Sequence, residues 1–339
     1  MATTTGGEAI ILRCPTLKSF GLAAVSSYNG QFFRAARVIQ RDPFQKEQFM
    51  PSLFMSSLFR LTGSCLLMFA AMASHAENTR PASHIAEVDA GMCQTMREMD
   101  VLHKSAPVSC TQLRVVHFSY LGFDGKVHDD GAVMVMAALA DHVQAIFATL
   151  LQRKFALAGA QLMQHYRGDD LAAMRANNTS AFNDRAITNG GAHSLHAYGA
   201  AIDINPIQNP FVQFEDAGKA SYLPAAGSTY ANRLAVRPGK STRKGMAEEV
   251  VDVFAEHGFL IWGGDWDAPI DYQHFQISRS LAKKLAALPV AQAQVVFNDY
   301  VKNYRNCTRT KKTAAGLADN NIAKANTVKA RCVNAVDKP

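Results

Sequence analysis

The chain is 339 residues long, 48% hydrophobic and 19% charged, which excludes wholesale disorder and allows a core that needs no staples. Its formal charge of +7 is unevenly spread: residues 1–49 carry +3, 50–76 carry +1 and 301–339 carry +7, which leaves 77–300 at −4. The central region is mildly acidic and shows no basic face with interleaved aromatics, so no nucleic-acid partner is expected.

Residues 1–49 lack a coherent periodic pattern and read as a mis-assigned or disordered extension, with the true start at Met50 or Met55. The stretch 50–76 reads as a secretory signal peptide. Arg60 supplies the positive end, Leu61–Ala73 the apolar run, and Ser74-His75-Ala76 a small-residue cleavage site, so the mature protein is expected to be periplasmic or secreted. The apolar run is shorter than the roughly 20 residues of a spanning helix, and an uncleaved anchor is the lesser reading. Past residue 76 four cysteines remain: Cys93, Cys110, Cys307 and Cys332. In an exported chain they imply two disulfides. Local pairing gives 93–110 and 307–332, although the sequence alone allows other connectivities.

Residues 77–110 read as a polar lead-in with a short helix near 87–102. Gln112–Leu121 alternates as a strand and Phe123-Asp-Gly125 as a turn. Ala132–Phe155 carries apolar residues at helical spacing and is expected as one core helix. Ala186–Tyr198 reads as a loop, 200–204 as a short strand, and 208–237 as a long surface loop. A helix over 245–257, strands over 259–262 and 274–277, and helices over 280–285 and 291–304 follow, with a basic, partly helical tail beyond 300. Strands and helices do not alternate, so the fold class is α+β: a small antiparallel sheet flanked by helices, with the domain proper at 111–300.

Two segments carry chemistry: His193-Ser-Leu-His-Ala-Tyr-Gly-Ala-Ala-Ile-Asp-Ile204 and Trp262-Gly-Gly-Asp-Trp-Asp-Ala-Pro-Ile-Asp-Tyr-Gln-His-Phe275. A catalytic zinc site needs three His or carboxylate ligands and an open position. His196, Asp203 and His274 can supply the three. Asp203 sits between Ile202 and Ile204, and a carboxylate on so apolar a strand is costly unless it is paired or binds metal. Asp271, three residues before His274, is placed to serve as general base. His193 competes with His196, and spacing does not separate them.

In combination, Ser194-x-His196-x-x-Gly199-x-Ala201-x-Asp203, Trp262-Gly263-Gly264-x-Trp266 and Asp271-x-x-His274-Phe275 resemble the zinc D-alanyl-D-alanine carboxypeptidases of the VanY type. They are most similar to the branch that includes phage L-alanyl-D-glutamate endolysins. Tyr166-Arg-Gly-Asp-Asp170 and 178–185 are similar to the same branch. The resemblance implies a Hedgehog/DD-peptidase-like fold with one Zn2+ held by His196, Asp203 and His274, selecting His196 over His193. It further implies Asp271 as acid/base, Arg185 as the group that polarises the scissile carbonyl, and Ser194 near the substrate. Asp184 departs from the small or Cys residue expected there. Tyr166, Trp262 and Trp266 are candidates to line the cleft, although packing alone would explain each.

The leading expectation is a monomeric zinc metallopeptidase acting on peptidoglycan stem peptides, first as a D-Ala-D-Ala carboxypeptidase and second as an L-Ala-D-Glu endopeptidase. A zinc-containing cell-wall-binding module without turnover and a zinc amidase are the readings from other classes. The basic tail is a candidate for electrostatic contact with the anionic envelope.

Overall fold

The computed structural model describes residues 83–187, 190–215, 218–314 and 322–337. The expected extension 1–49, the expected signal segment 50–76 and residues 77–82 lie outside the described residues.

The first sheet begins in the segment expected as a lead-in. Strand β1 (His84–Glu87) pairs antiparallel with β2 (Leu113–Gly122), β2 pairs antiparallel with β3 (Val127–Met136), and β4 (Ala156–Leu157) runs parallel to β2. Helix α1 (Ala90–Glu98) is N-capped by Asp89, whose carboxylate accepts from the Met92 N–H at 2.7 Å. A Cys93–Cys110 disulfide fastens that helix to the approach to β2. Helix α2 (Ala140–Gln152) lies across the sheet, with Phe147 stacked on Phe118 at 3.7 Å between ring centroids.

The helix expected over 132–155 is two elements. Residues up to Met136 belong to β3, a short 3-10 turn follows at Ala137–Leu139, and the α-helix starts only at Ala140. The reason is burial: from Val133 to Met136 every side chain is covered, so the strand shows no period-two alternation and its apolar run merges with that of the helix behind it.

Two three-stranded antiparallel sheets follow. One orders β5 (Ala201–Asp203), β10 (His274–Gln276) and β8 (Ile261–Trp262); the other orders β7 (Ala220–Leu223), β6 (Phe211–Phe214) and β9 (Ile270–Asp271). The segment 208–237, expected as loop, thus contains the β6–β7 hairpin. Short helices α3 (Asp170–Arg175) and α4 (Val251–Glu256) and the longer α5 (Arg279–Ala286) complete the central part. Phe254 of α4 stacks on Phe275 of β10 at 3.9 Å, which joins the second sheet to the core. The architecture is mixed helix and sheet with small antiparallel sheets, as an α+β reading expects.

Helix α6 (Val290–Ala314) runs straight through residue 300, and α7 (Ile322–Val336) is tied to it by the Cys307–Cys332 disulfide. Val301, Tyr304, Val328 and Cys332 are buried with the main core. The residues expected as a separate tail are therefore part of the fold, because an apolar stripe on an otherwise basic helix pair has a core to cover.

Candidate metal centre

Register explains how distant residues meet. Strands β5 and β10 pair antiparallel with His274 opposite Asp203 and Phe275 opposite Ile202. Side chains alternate across a sheet, so Asp203 and His274 share one face while Ile202 and Phe275 enter the core on the other. His196 arrives on a 3-10 turn, Leu195–Tyr198. Ser194 caps that turn by accepting from the His196 N–H at 3.3 Å, and Gly199 ends it with φ 63°. A Cβ at Gly199 would sit 2.5 Å from the Met136 backbone nitrogen, so only glycine lets this turn lie against β3.

The three candidate ligands are 3%, 5% and 6% exposed for His196, Asp203 and His274, and one ligand atom from each lies within 4.8 Å of the others. Asp203 offers one oxygen 3.3 Å from His196 Nε2 and the other 2.9 Å from His274 Nδ1. The outer ring nitrogens face acceptors: His196 Nδ1 lies 2.5 Å from the Ala181 carbonyl, and His274 Nε2 lies 2.7 Å from Gln276 Oε1. Donation to those oxygens puts each ring proton on the outside, so the inner nitrogens, 3.2 Å apart, both present lone pairs. Two lone pairs at that separation require a cation between them, either a proton or a metal ion. Two imidazoles, each oriented by an outer hydrogen bond, and a carboxylate are the donor set of a catalytic zinc site, so the residues fit the ion.

The electrostatics agree. Burial opposes charge on Asp203, but His196 and His274 outweigh it and hold its carboxyl well below the usual carboxylate range. Burial likewise opposes the charged form of His274, but Asp203 overrides it and pushes the imidazole up to about 9. The cluster attracts positive charge even without metal. Asp271 behaves oppositely. Burial, reinforced by the negative charge of Asp203, pushes its carboxyl up to about 7. The residue as a whole is half-buried, yet its Oδ1 is out of solvent and has no hydrogen-bond partner. Asp271 stands where it does because Gly263 leaves room: a Cβ there would meet the Asp271 carbonyl oxygen at 2.4 Å.

These groups line one cavity of about 650 Å³. Arg185 and Ser194 also line it, and Arg185 is held by Asp170 at 2.8 Å while its Nε–H is buried without a partner. Asp170 is thus an arginine partner inside the cavity, and the cap of α3 is its neighbour Asp169, which accepts from the Ala172 N–H at 2.9 Å. His193 pairs with Asp184 at 3.3 Å and stays out of the cluster. Asp184 is buried and also receives the His103 N–H at 2.9 Å, so the unexpected residue at 184 ties two loops together.

Two expected cavity residues are elsewhere. Tyr166 packs against the hydrophobic core, and Trp262 packs beside Phe275 with its indole N–H donating to the Tyr272 carbonyl at 2.8 Å; neither lines the cavity. Trp262 lies on a strand whose pairing with Phe275 turns the ring inward. Of the two tryptophans Trp266 does form the aromatic wall, 5.5 Å from the His274 ring, together with Phe211 and Phe214 on the β6–β7 hairpin. Gln276 and the hairpin residues were missed. The only signal for the hairpin is the apolar content of Phe211, Val212 and Phe214, too short a run to read alone.

Residues 188–277 match the model of a family described as D-alanyl-D-alanine carboxypeptidase. That span holds His196, Asp203, Asp271 and His274 and leaves Arg185 and Tyr166 outside. No curated protein and no solved structure matches the chain. The segment that assembles the His–Asp–His cluster is thus similar to the D-alanyl-D-alanine carboxypeptidase family of peptidases.

Proposed function

We propose that the protein is an exported zinc metallopeptidase that removes the terminal D-Ala from peptidoglycan stem peptides, on a Hedgehog/DD-peptidase-like fold. The observation that carries this reading is the buried trio His196, Asp203 and His274, with the inner ring nitrogens turned toward Asp203 and each other and the outer ones engaged, beside Asp271, whose Oδ1 is buried without a partner. A Zn2+ ion held by the trio would supply Lewis acidity toward a carbonyl and toward water.

The chain's own residues do the rest. Asp271 accepts the proton of the attacking water and returns it to the leaving amine, a role for which its position at the cavity wall beside His274 suits it. Arg185, fixed by Asp170, presents its guanidinium to the negative charge that develops on the scissile carbonyl oxygen. Ser194 holds the turn that carries His196.

Terminal cleavage is favoured over internal cleavage by a second cation in the cavity. Arg279 donates to the His193 carbonyl at 2.8 Å and has no carboxylate partner among the described residues, which leaves charge for a substrate's free C-terminus. The test is incubation of the zinc-loaded protein with defined muropeptides, followed by mass spectrometry. Release of free D-Ala from pentapeptide stems supports the reading. Cleavage between L-Ala and D-Glu would replace it with the endopeptidase, separation of sugar from peptide with an amidase, and binding without products with a non-catalytic module.

A further inference from the structure

A second cavity, of about 530 Å³, shares no residue with the first and is lined mostly by the loop 231–245, with Phe123 of the β2–β3 turn and Thr229 and Tyr230 just before the loop. Between Ala231 and Gly245 the chain carries five basic residues and no acidic one. The loop has fixed geometry. Arg237-Pro238-Gly239-Lys240 closes a turn in which the Lys240 N–H donates to the Arg237 carbonyl at 3.2 Å, with Gly239 at φ 68°. The Arg243 N–H donates to the Ala235 carbonyl at 3.0 Å across the loop's base. The Gly245 carbonyl accepts from Asn205 at 3.1 Å and Asn209 at 3.0 Å, both buried, which fastens the loop to the domain.

Among the described residues, Arg233 alone of the five cations has a carboxylate partner, Glu248 at 2.6 Å. Arg237, Arg243 and Lys244 line the cavity with Ser241, Thr242 and the half-exposed ring of Phe123, and no carboxylate pairs with any of the three among the described residues. Arg243 donates to the Thr229 carbonyl at 2.7 Å and lies over the Tyr230 ring at 4.7 Å, so it is held in place by neutral groups alone. The Nε–H of Arg237 is buried with no acceptor. A buried donor left unpaired is destabilising, and an acceptor oxygen reaching the Arg237 Nε–H would relieve it.

Uncompensated cations, one orphaned buried donor and two hydroxyls around a pocket form a receptor for an oxyanion with donors on several sides. We infer that this loop binds a phosphate group, either free or carried on a polyol or glycan chain that would rest on Phe123. Several converging N–H and O–H donors match the oxygens of a phosphate, and guanidinium groups present two parallel donors to it.

The test is calorimetric titration of the full chain with inorganic phosphate and, separately, with poly(glycerol phosphate), with polygalacturonate as the carboxylate control. R237M and K244Q are each expected to weaken phosphate binding at least about tenfold, while K312Q on α6 leaves it unchanged. Because the Arg237 Nε–H makes no bond, R237M should melt no lower than the parent chain, which separates lost binding from lost folding. Tighter binding of the polymer than of the free ion identifies a chain-borne phosphate, and equal binding per phosphate identifies the free ion. The inference is overturned if the parent chain binds neither, if R237M binds as well as the parent, if K312Q weakens binding equally, or if polygalacturonate binds as tightly.

Discussion

Asp271→Asn separates stability from chemistry at one buried group. The carboxyl moves from an ordinary value near 3.8 to about 7 in the metal-free fold, because burial and the negative charge of Asp203 both disfavour ionisation. Below pH 3.8 the group is protonated whether the chain is folded or not, and it contributes nothing. Between that value and about 7 the unfolded chain loses the proton while the folded one keeps it, so stability falls as pH rises; above about 7 the loss is complete. At about 1.4 kcal/mol per tenfold change, the full penalty is about 4 kcal/mol. Asparagine is neutral throughout and escapes it. Denaturant unfolding of metal-free protein should therefore show Asp271→Asn and the parent nearly equal at pH 4, with the variant about 4 kcal/mol more stable at pH 8.5. The zinc-loaded variant should lose turnover by about 10²–10⁴-fold while still binding metal. A stability difference that does not change with pH would refute the burial argument. Full activity in the variant would refute the role of base.

Arg185→Met is expected to lower kcat by about 10²–10³-fold, with zinc affinity unchanged in a competition titration, since Arg185 touches Asp170 and none of the ligands. Gly199→Ala should destabilise the protein by about 2–4 kcal/mol in thermal or denaturant unfolding, because the new methyl meets backbone at 2.5 Å and the residue must hold φ 63°. Replacing Cys307 and Cys332 with serine opens a loop of 25 residues and should cost about 3 kcal/mol, with muropeptide turnover at low temperature unchanged.

The residues that define the chemistry were readable because metal ligation and proton transfer restrict residue type. Asp203, His274 and Asp271 follow from which side chains could do those tasks on which strands, His196 was separated from His193 only by the family resemblance, and the cross-strand register then puts Asp203 and His274 side by side. The groups that orient them were not readable. The Ala181 carbonyl is backbone and leaves no mark in sequence, and Gln276 looks like any polar residue on a short strand. Burial hid the opening of β3, where a strand covered on both faces loses its alternation and merges with the helix that follows. The cavity wall was hidden for the opposite reason: the β6–β7 hairpin is short and partly polar, and its pairing to β9 is a contact across more than fifty residues. Trp262 and Trp266 illustrate the same limit, since only the pairing of β8 with β10 decides which ring turns inward.

The central claim is that His196, Asp203 and His274 hold one divalent ion between them. The most direct measurement is zinc content and affinity of the purified chain after chelation and reloading, read by elemental analysis and competition with a chromophoric chelator, for the parent and for His196→Ala, Asp203→Ala and His274→Ala. The expected result is one tightly held zinc per parent chain and its loss from all three variants, with His193→Ala retaining it. Zinc retained by any of the three, or lost only from His193→Ala, would contradict the account.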